Sequence, residues 1–447
     1  MKRILLASLP FYRLMGSHFN GMSLGISYIA AMLKSRNFNV GIYNADYFDS
    51  GKYLTQEEIF SGHHNYETIM KDENHPLWDE VVQNILRWSP DYLGISMYTA
   101  NYPSAKIVSR KIRKLRPDIK IVVGGVHATL AYRDLMAEDW IDFLIRGEGE
   151  FAFLELVNNV PLHAIGGLSW RDANGSVVHN SGRQPIEPLD IVPFPERDAF
   201  ITPSHNMDLG QIITGRGCPF ACTYCASPAM WGRKNVRFRS VYDVVTELEL
   251  ISKKYQSSMI YFSDDTFSLK KERTIELSNE IVRRGLNISW KCDTRADCLD
   301  DELVGAMKAA GCQLLKIGVE SGSERILKLI KKGVSKEKIM AAAKVVKSHG
   351  IKLTAYLMIG FPGETNEDVQ KTIDFAQEMD ADYYSLSILA PYFGTEIFNT
   401  MGEHGIELEK DHWEYFYHQS MKMLEKSSIS PDMVEKFLQI NLGRRRI

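Results

Sequence analysis

The sequence predicts an α/β protein: a Rossmann-like domain, then a partial (β/α)6 barrel of the TIM type, then a short helical C-terminal tail. Three observations carry this expectation. Short apolar runs alternate with helix-period stretches over residues 1–160, the alternation restarts near residue 206, and the stretch between is interrupted by prolines. At 447 residues the chain has room for two cores of this kind. The segments read from these shifts are 1–160, a connector 161–205, the barrel 206–395 and the tail 396–447.

In the first series Lys2 to Ser8 reads as a strand, and Gly21 to Arg36 as a helix with Leu24, Tyr28, Ala31 and Met32 on one face. Phe38 to Tyr43 is the next strand. After a polar insert (Asp49 to His75), Trp78 to Trp88 is helical, Asp91 to Met97 a strand and Tyr102 to Leu115 helical. Ile119 to Val123 and Asp142 to Ile145 complete five strands. Repeated βα units predict a doubly wound parallel sheet with its ligand crevice at the strands' C-terminal ends. Those ends carry GISMYTAN (Gly94 to Asn101), GGVHATL (Gly124 to Leu130) and RGEGE (Arg146 to Glu150). Glycine there lets backbone approach a ligand closely. None is a GxGxxG fingerprint, so these residues indicate only a domain that binds something large.

In the connector, LSWRDANGSVVHN predicts a hairpin turning at Asp172-Ala173-Asn174-Gly175. The three prolines of PLDIVPFPERDAF favour an extended passage. From Asp208 the second series offers strands at Leu209 to Thr214, Met259 to Ser263, Ile288 to Asp293, Gln313 to Val319, Lys352 to Ile359 and Tyr383 to Leu389. Helical patterns separate them: Val241 to Lys254, Lys270 to Arg284, Glu302 to Ala310, Lys336 to Ser348 and Glu367 to Met379. Barrel sites sit at the C-terminal strand ends.

The chemistry concentrates in Gln211 to Pro228, where Cys218, Cys222 and Cys225 form a CxxxCxxC pattern bent by Gly215, Gly217 and Pro219. Three thiolates on one loop can each hold one iron of a cubane and leave the fourth iron open. An open corner suggests that a substrate binds iron directly. Zinc sites usually pair their ligands and close all four positions, and no second pair exists here. Cys292 and Cys312 flank or enter apolar strands and, with Cys298, read as packing rather than a second cluster.

This loop resembles the signature of the radical S-adenosylmethionine (SAM) enzymes. The resemblance implies a [4Fe–4S] cluster on the three cysteines, chelating SAM and cleaving it to a 5′-deoxyadenosyl radical, with Tyr224 near the adenine. Asp264 and Asp265 stand where the family accepts hydrogen bonds from the SAM amine; adjacent strand-end residues point oppositely, so one of the two faces the ligand. Arg295 would pair with the methionine carboxylate, or else with Asp297 at the barrel lip. Glu320 and Ser321 match the ribose motif, while Ser323 and Arg325 start the next helix. Gly360, Phe361 and Pro362 match the adenine-side turn.

The strand ends of the first series, placed before such a loop, resemble the cobalamin-binding class of the same superfamily. The implied contacts are Ser96, Tyr98 and Thr99; Gly124, Gly125, Val126 and His127; and Gly147 and Glu148. Val126 stands where that class usually has proline. The DxHxxG motif of other cobalamin enzymes is absent, so His127 reads as a loop histidine, beside the cofactor or solvated, and not as a cobalt ligand. Methylthiotransferases are set aside because residues 1–217 hold no cysteine. The resemblance implies methyl transfer from methylcobalamin to a carbon activated by the radical, or alternatively a non-methylating cyclisation, ring contraction or oxidation. It implies a small-molecule substrate and an electron donor such as flavodoxin or ferredoxin.

A net charge of −3 with only the terminal GRRRI as a cationic run gives no electrostatic case for nucleic acid. No stretch nears the roughly 20 apolar residues of a membrane span. MKRILLASLP is too short in its apolar run for an export signal and reads as a first strand. With cysteines in a cluster loop, this argues for a reducing cytoplasm. In the tail, Trp413, Tyr415, Phe416 and Tyr417 cap the barrel mouth or pack a final helix from Pro431 to Leu442.

Overall fold

The computed structural model describes residues 1–17, 19–47, 58, 62–202, 207–408, 413–418 and 420–441. The chain divides into two compact units, 1–208 with 409–417 and 209–408 with 418–447. The fold class is the expected one.

The first unit is built on strands β1 (Arg3–Ser8), β2 (Asn39–Asn44), β3 (Tyr92–Ser96), β4 (Lys120–Gly124) and β5 (Phe143–Ile145), all parallel. Between them run helices α1 (Leu24–Lys34), α2 (His63–Lys71), α3 (Pro76–Trp88) and α4 (Tyr102–Leu115). A short helix α5 (Val126–Leu130) follows β4, and α6 (Gly149–Val157) follows β5. Helix α2 lies inside the stretch read as a polar insert, part of which falls outside the described residues. The order β2-β1-β3-β4-β5 reverses between β1 and β3, which creates a crevice at their C-terminal ends. Ile4, Leu5 and Ala7 of β1 are fully buried, as the central strand of a parallel sheet requires.

Gly94 packs the core rather than a ligand: a Cβ there would lie 2.6 Å from Leu6 and 2.8 Å from Phe153. The hairpin expected in the connector is present as β6 (Leu168–Arg171) and β7 (Val177–His179), turning at a left-handed Gly175. It does not stand apart, however. β6 pairs antiparallel with β5 and extends the first sheet to seven strands. The proline-rich passage then runs extended along β2, where Phe200 bridges Ile42.

The second unit is a six-stranded, wholly parallel sheet: β8 (Gln211–Ile212), β11 (Ile260–Phe262), β12 (Trp290–Thr294), β13 (Cys312–Glu320), β14 (Lys352–Ile359) and β15 (Tyr383–Ile388), in that order across the sheet. A separate antiparallel clip joins β9 (Gly215–Arg216) to β10 (Arg237–Phe238). The helices are α7 (Ser227–Trp231), α8 (Val241–Leu250), α9 (Lys271–Arg283), α10 (Asp301–Ala309), α11 (Glu324–Leu329), α12 (Lys336–Ser348), α13 (Asn366–Met379) and α14 (Pro431–Leu438). Trp290 anchors the core, edge-on to Phe262 at 5.1 Å and with its indole N–H donating to Ala310 at 2.8 Å.

The tail splits. Its terminal helix packs on α13, whereas Trp413 and Tyr417 belong to the first unit. Trp413 meets His127 at 5.0 Å, and Tyr417 meets Phe11 and Tyr66, each at 5.3 Å. Among the described residues no helix is long and apolar enough to cross a membrane.

Candidate functional site

In the second unit β8 delivers the chain to the three-cysteine loop, and the two adjacent aspartates at the end of β11 hold that loop from opposite sides. Asp264, 6% exposed, accepts from the Thr214 N–H at 2.6 Å, the Thr214 hydroxyl and the Gly215 N–H at 3.3 Å. Burial lifts its carboxyl to about 6. Asp265 is exposed and spans the loop: its Oδ2 accepts from Gly217 N–H at 3.2 Å and Ser227 Oγ at 3.0 Å. Its Oδ1 has no hydrogen bond among the described residues, so of the pair it is Asp265 that retains an open oxygen. Gly217 is obligatory, because φ is +97° and a Cβ would lie 2.6 Å from the Asn235 carbonyl.

The thiols are unbonded to one another and partly exposed. Ser227 N–H donates to Cys225 Sγ at 3.4 Å, Arg295 Nη1 approaches Cys222 Sγ at 3.8 Å, and Thr266 Oγ1 lies 3.7 Å from Cys218 Sγ. Burial pushes Cys225 up to about 12 and also raises Cys222, whose rise Lys332 and Arg295 oppose. The three are close enough to raise one another electrostatically. A cubane takes one thiolate per iron and leaves its fourth corner open, whereas zinc sites close all four positions with protein ligands or water. The donor set fits the cluster.

Arg295 takes the lip arrangement. It forms a two-pronged pair with Asp297 (3.0 Å for each prong), donates to the Lys332 carbonyl at 2.9 Å and lies over the Phe220 ring, 3.5 Å from its centroid. Its guanidinium therefore braces the cysteine loop.

Glu320 is held at a bulge in β13 with φ +68°. Tyr224 donates to Glu320 Oε1 at 2.7 Å and Lys332 Nζ donates to the same oxygen at 2.8 Å, both carboxylate and ammonium being buried. Burial and the Glu320 charge push the Tyr224 phenol well above its ordinary range, so it stays a donor. Gly318 leaves the space: a Cβ there would lie 2.4 Å from Glu320 Oε1 and 2.6 Å from Lys332 Nζ. Lys332 was not legible in sequence. Its KKG context after a short helix reads as a solvated helix end, and only the fold buries it.

Other expected contacts are committed elsewhere. Ser321 is fully buried, and its hydroxyl bonds Thr372 at 3.0 Å and the Ser323 N–H at 3.1 Å, so it does not face a ligand. The Gly360 and Phe361 N–H groups donate to Glu364 Oε2 at 2.7 and 3.1 Å, so they are not free for an adenine. Burial lifts the Glu364 carboxyl to about 8, and its Oε1 has no partner. Phe361 packs edge-on to Tyr224 at 6.1 Å, with Pro362 adjoining in the same turn. Along the inner strands, Tyr261 and Tyr356 (2.7 Å) both donate to Asp293, and Lys316 lies 4.6 Å from the Tyr261 ring centroid. Sequence reading singled out none of these four.

In the first unit Ser96 and Gly124 pair at the ends of β3 and β4. Gly125 has φ +93°, and a Cβ would lie 2.7 Å from the Met97 carbonyl, which no other residue tolerates. Thr99 Oγ1 meets His127 Nδ1 at 3.1 Å. His127 is 1% exposed, not solvated, and burial lowers it to about 4. Gly147, with φ +73°, donates its N–H to Thr129 at 2.9 Å, and Glu148 accepts the Ile186 N–H at 2.6 Å, tying down the connector. Val126 and Tyr98 are 41% and 36% exposed.

A profile described as the radical SAM superfamily matches residues 212–376, and one described as a B12 binding domain matches residues 17–157. An uncharacterized methyltransferase of Pyrococcus horikoshii is 33% identical over 385 residues, covering 84% of this chain and 78% of its own. An anaerobic magnesium-protoporphyrin IX monomethyl ester cyclase of Rubrivivax gelatinosus is 28% identical over 339 residues, 73% of this chain and 61% of that protein. Among solved structures, the radical SAM methyltransferase TsrM of Kitasatospora setae, with cobalamin and a [4Fe–4S] cluster bound, superposes with TM-score 0.68 at 19% identity. That match covers 90% of this chain and 75% of TsrM.

Proposed function

The chain belongs to the radical SAM superfamily, with a B12-binding domain in the same polypeptide, and from this premise we propose a cobalamin-dependent methyltransferase acting at a carbon of a small molecule. The observation that carries the cofactor assignment is the thiol triad on one loop, tied by Asp265 at Gly217 and Ser227 and lying beside the Tyr224–Glu320–Lys332 group. When bound, the cluster supplies the electron that cleaves SAM and cobalamin supplies the methyl carrier.

The remaining work falls to this chain's side chains. Cys218, Cys222 and Cys225 hold iron, and each must lose its proton to do so. Asp265 offers its open oxygen to the SAM amine. Glu320, its charge balanced by Lys332, accepts from the ribose hydroxyls. The further N–H groups of Lys332 meet the methionine carboxylate. Tyr224 presents aromatic surface to the adenine, with Phe361 packed behind it. In the first unit Val126 and Tyr98 supply apolar contact to the corrin, and Gly124, Gly125 and Gly147 keep backbone low beneath it.

The test is anaerobic reconstitution with iron, sulfide and hydroxocobalamin, followed by quantification of SAM products with candidate small molecules. Methylation consumes two SAM per turnover and releases S-adenosylhomocysteine and 5′-deoxyadenosine in equal amounts. The cyclase relative favours a second reading, cyclisation or oxidation without methyl transfer. 5′-Deoxyadenosine alone beside an unmethylated product selects it. A protein that takes up iron and sulfide without forming a cubane overturns both.

A further inference from the structure

Reductive cleavage of SAM breaks the S–C5′ bond to methionine and a 5′-deoxyadenosyl radical and consumes one electron. A donor must therefore be oxidised by one electron each time. From Gln211 to Ser240 the chain carries Arg216, Arg233, Lys234, Arg237 and Arg239 and no aspartate or glutamate, although the protein as a whole has net charge −3. Within the fold Arg216 is half-buried and the other four divide into two kinds. Arg239 is buried and paired with Asp243 and Glu247, and Arg237 is buried. They are internal. Arg233 and Lys234 are exposed on the turn before β10, and Lys270 is exposed at the start of α9.

None of these three exposed cations is paired with a carboxylate among the described residues. Neighbouring Lys271, by contrast, contacts both Asp300 (2.6 Å) and Glu302 (2.7 Å). Arg233 and Lys270 are also joined to the cysteine loop. Arg233 Nε reaches the carbonyl of Pro219, the residue after Cys218, at 3.4 Å. The turn's Asn235 carbonyl backs onto Gly217. Lys270 lies over Phe238, 4.9 Å from its centroid, and Phe238 pairs with Gly215 in the clip.

We propose that Arg233, Lys234 and Lys270 form the docking surface for an acidic one-electron carrier protein of the flavodoxin or ferredoxin kind, seated beside the cysteine loop. The proposal rests on the function given above, and it adds where the reductant binds. Uncompensated cations next to a redox loop steer an acidic partner towards it, and steering of this sort weakens with salt. Single-sign charge on a short exposed turn serves a transient contact, in which fast arrival and release matter more than affinity.

The experiment compares the full-length wild type with R233E/K234E and with K270E, and its first readout needs no turnover. Binding of a reduced-state-competent flavodoxin is followed by fluorescence anisotropy across ionic strength, with the cluster absorbance recorded for each variant. In parallel, 5′-deoxyadenosine is measured with reduced flavodoxin and, separately, with dithionite, a small reductant that needs no docking. The expected result is roughly tenfold or greater loss of flavodoxin association at low salt, with a flattened salt dependence. Flavodoxin-driven cleavage falls in proportion while dithionite-driven cleavage and absorbance stay unchanged. Equal flavodoxin binding by wild type and variants overturns the proposal. If dithionite fails to cleave SAM even with wild type, the proposed function has failed, and the anisotropy result still decides the docking surface.

Discussion

Individual residues decide most of the candidate site, and Glu320 is the most exposed to test. Its buried carboxylate balances the buried Lys332 ammonium at 2.8 Å. Glu320→Gln leaves that ammonium uncompensated, at a cost of about 3–5 kcal/mol. Urea unfolding is expected to show that loss, and equilibrium dialysis a weaker hold on SAM by roughly tenfold or more. E320Q/K332M, which removes both charges, regains stability without regaining SAM affinity. A single variant with unchanged stability and SAM binding removes this pair from the site.

His127 gives a pH signature with a definite sign. Its folded value of about 4 lies below the ordinary histidine value of about 6.5, so the unfolded chain binds the proton first. The stability it contributes is complete above about pH 6.5 and declines as pH falls through that value towards 4, by on the order of 3 kcal/mol. His418, also pushed down to about 4 by burial, adds a slope of the same sign. His127→Gln is expected to flatten its share of the decline, read from urea midpoints at neutral and mildly acid pH.

Elements, rather than residues, set the reach of the cysteine loop. β8 and β11 run side by side, and the Asp264 side chain stitches the end of one to the lead-in of the loop. Asp264→Asn turns an acceptor of several donors into a group that presents its own N–H to the Thr214 donors. The expected cost is about 1–3 kcal/mol, with less iron bound per chain after reconstitution. Unaltered iron content would show that the loop holds its shape without this stitch. At this scale the sequence was highly legible. Tyr102–Leu115, Lys336–Ser348 and Lys352–Ile359 form as read, because each shows an unbroken period bounded by loop-forming residues. Helix α2 was missed because its polar, histidine- and lysine-containing stretch shows no clear apolar face, and only packing beside Leu14 and Phe11 orders it.

In the whole molecule, the tail's return to the first unit has the largest consequence. Trp413, 7% exposed, covers His127, nearly three hundred residues earlier in the chain. Trp413→Ala is expected to destabilise the first unit by about 3–5 kcal/mol. Hydrogen exchange should then quicken at Thr99–Asn101 and in α5; unchanged protection would mean that the tail contact is incidental to stability.

The sequence by itself determined the chemistry of the cluster loop and the two βα series, because both are local. Thiol spacing is covalent, and periodicity is a property of neighbouring residues. Only the tertiary structure decided which carboxylate keeps an oxygen without a partner and which holds backbone, that Lys332 is buried against Glu320, that Ser321 is enclosed, and that His127 is capped by Trp413. Each of those depends on burial and partners brought from distant segments. Solvent exposure is a property of the assembled fold, and no short stretch of sequence carries it.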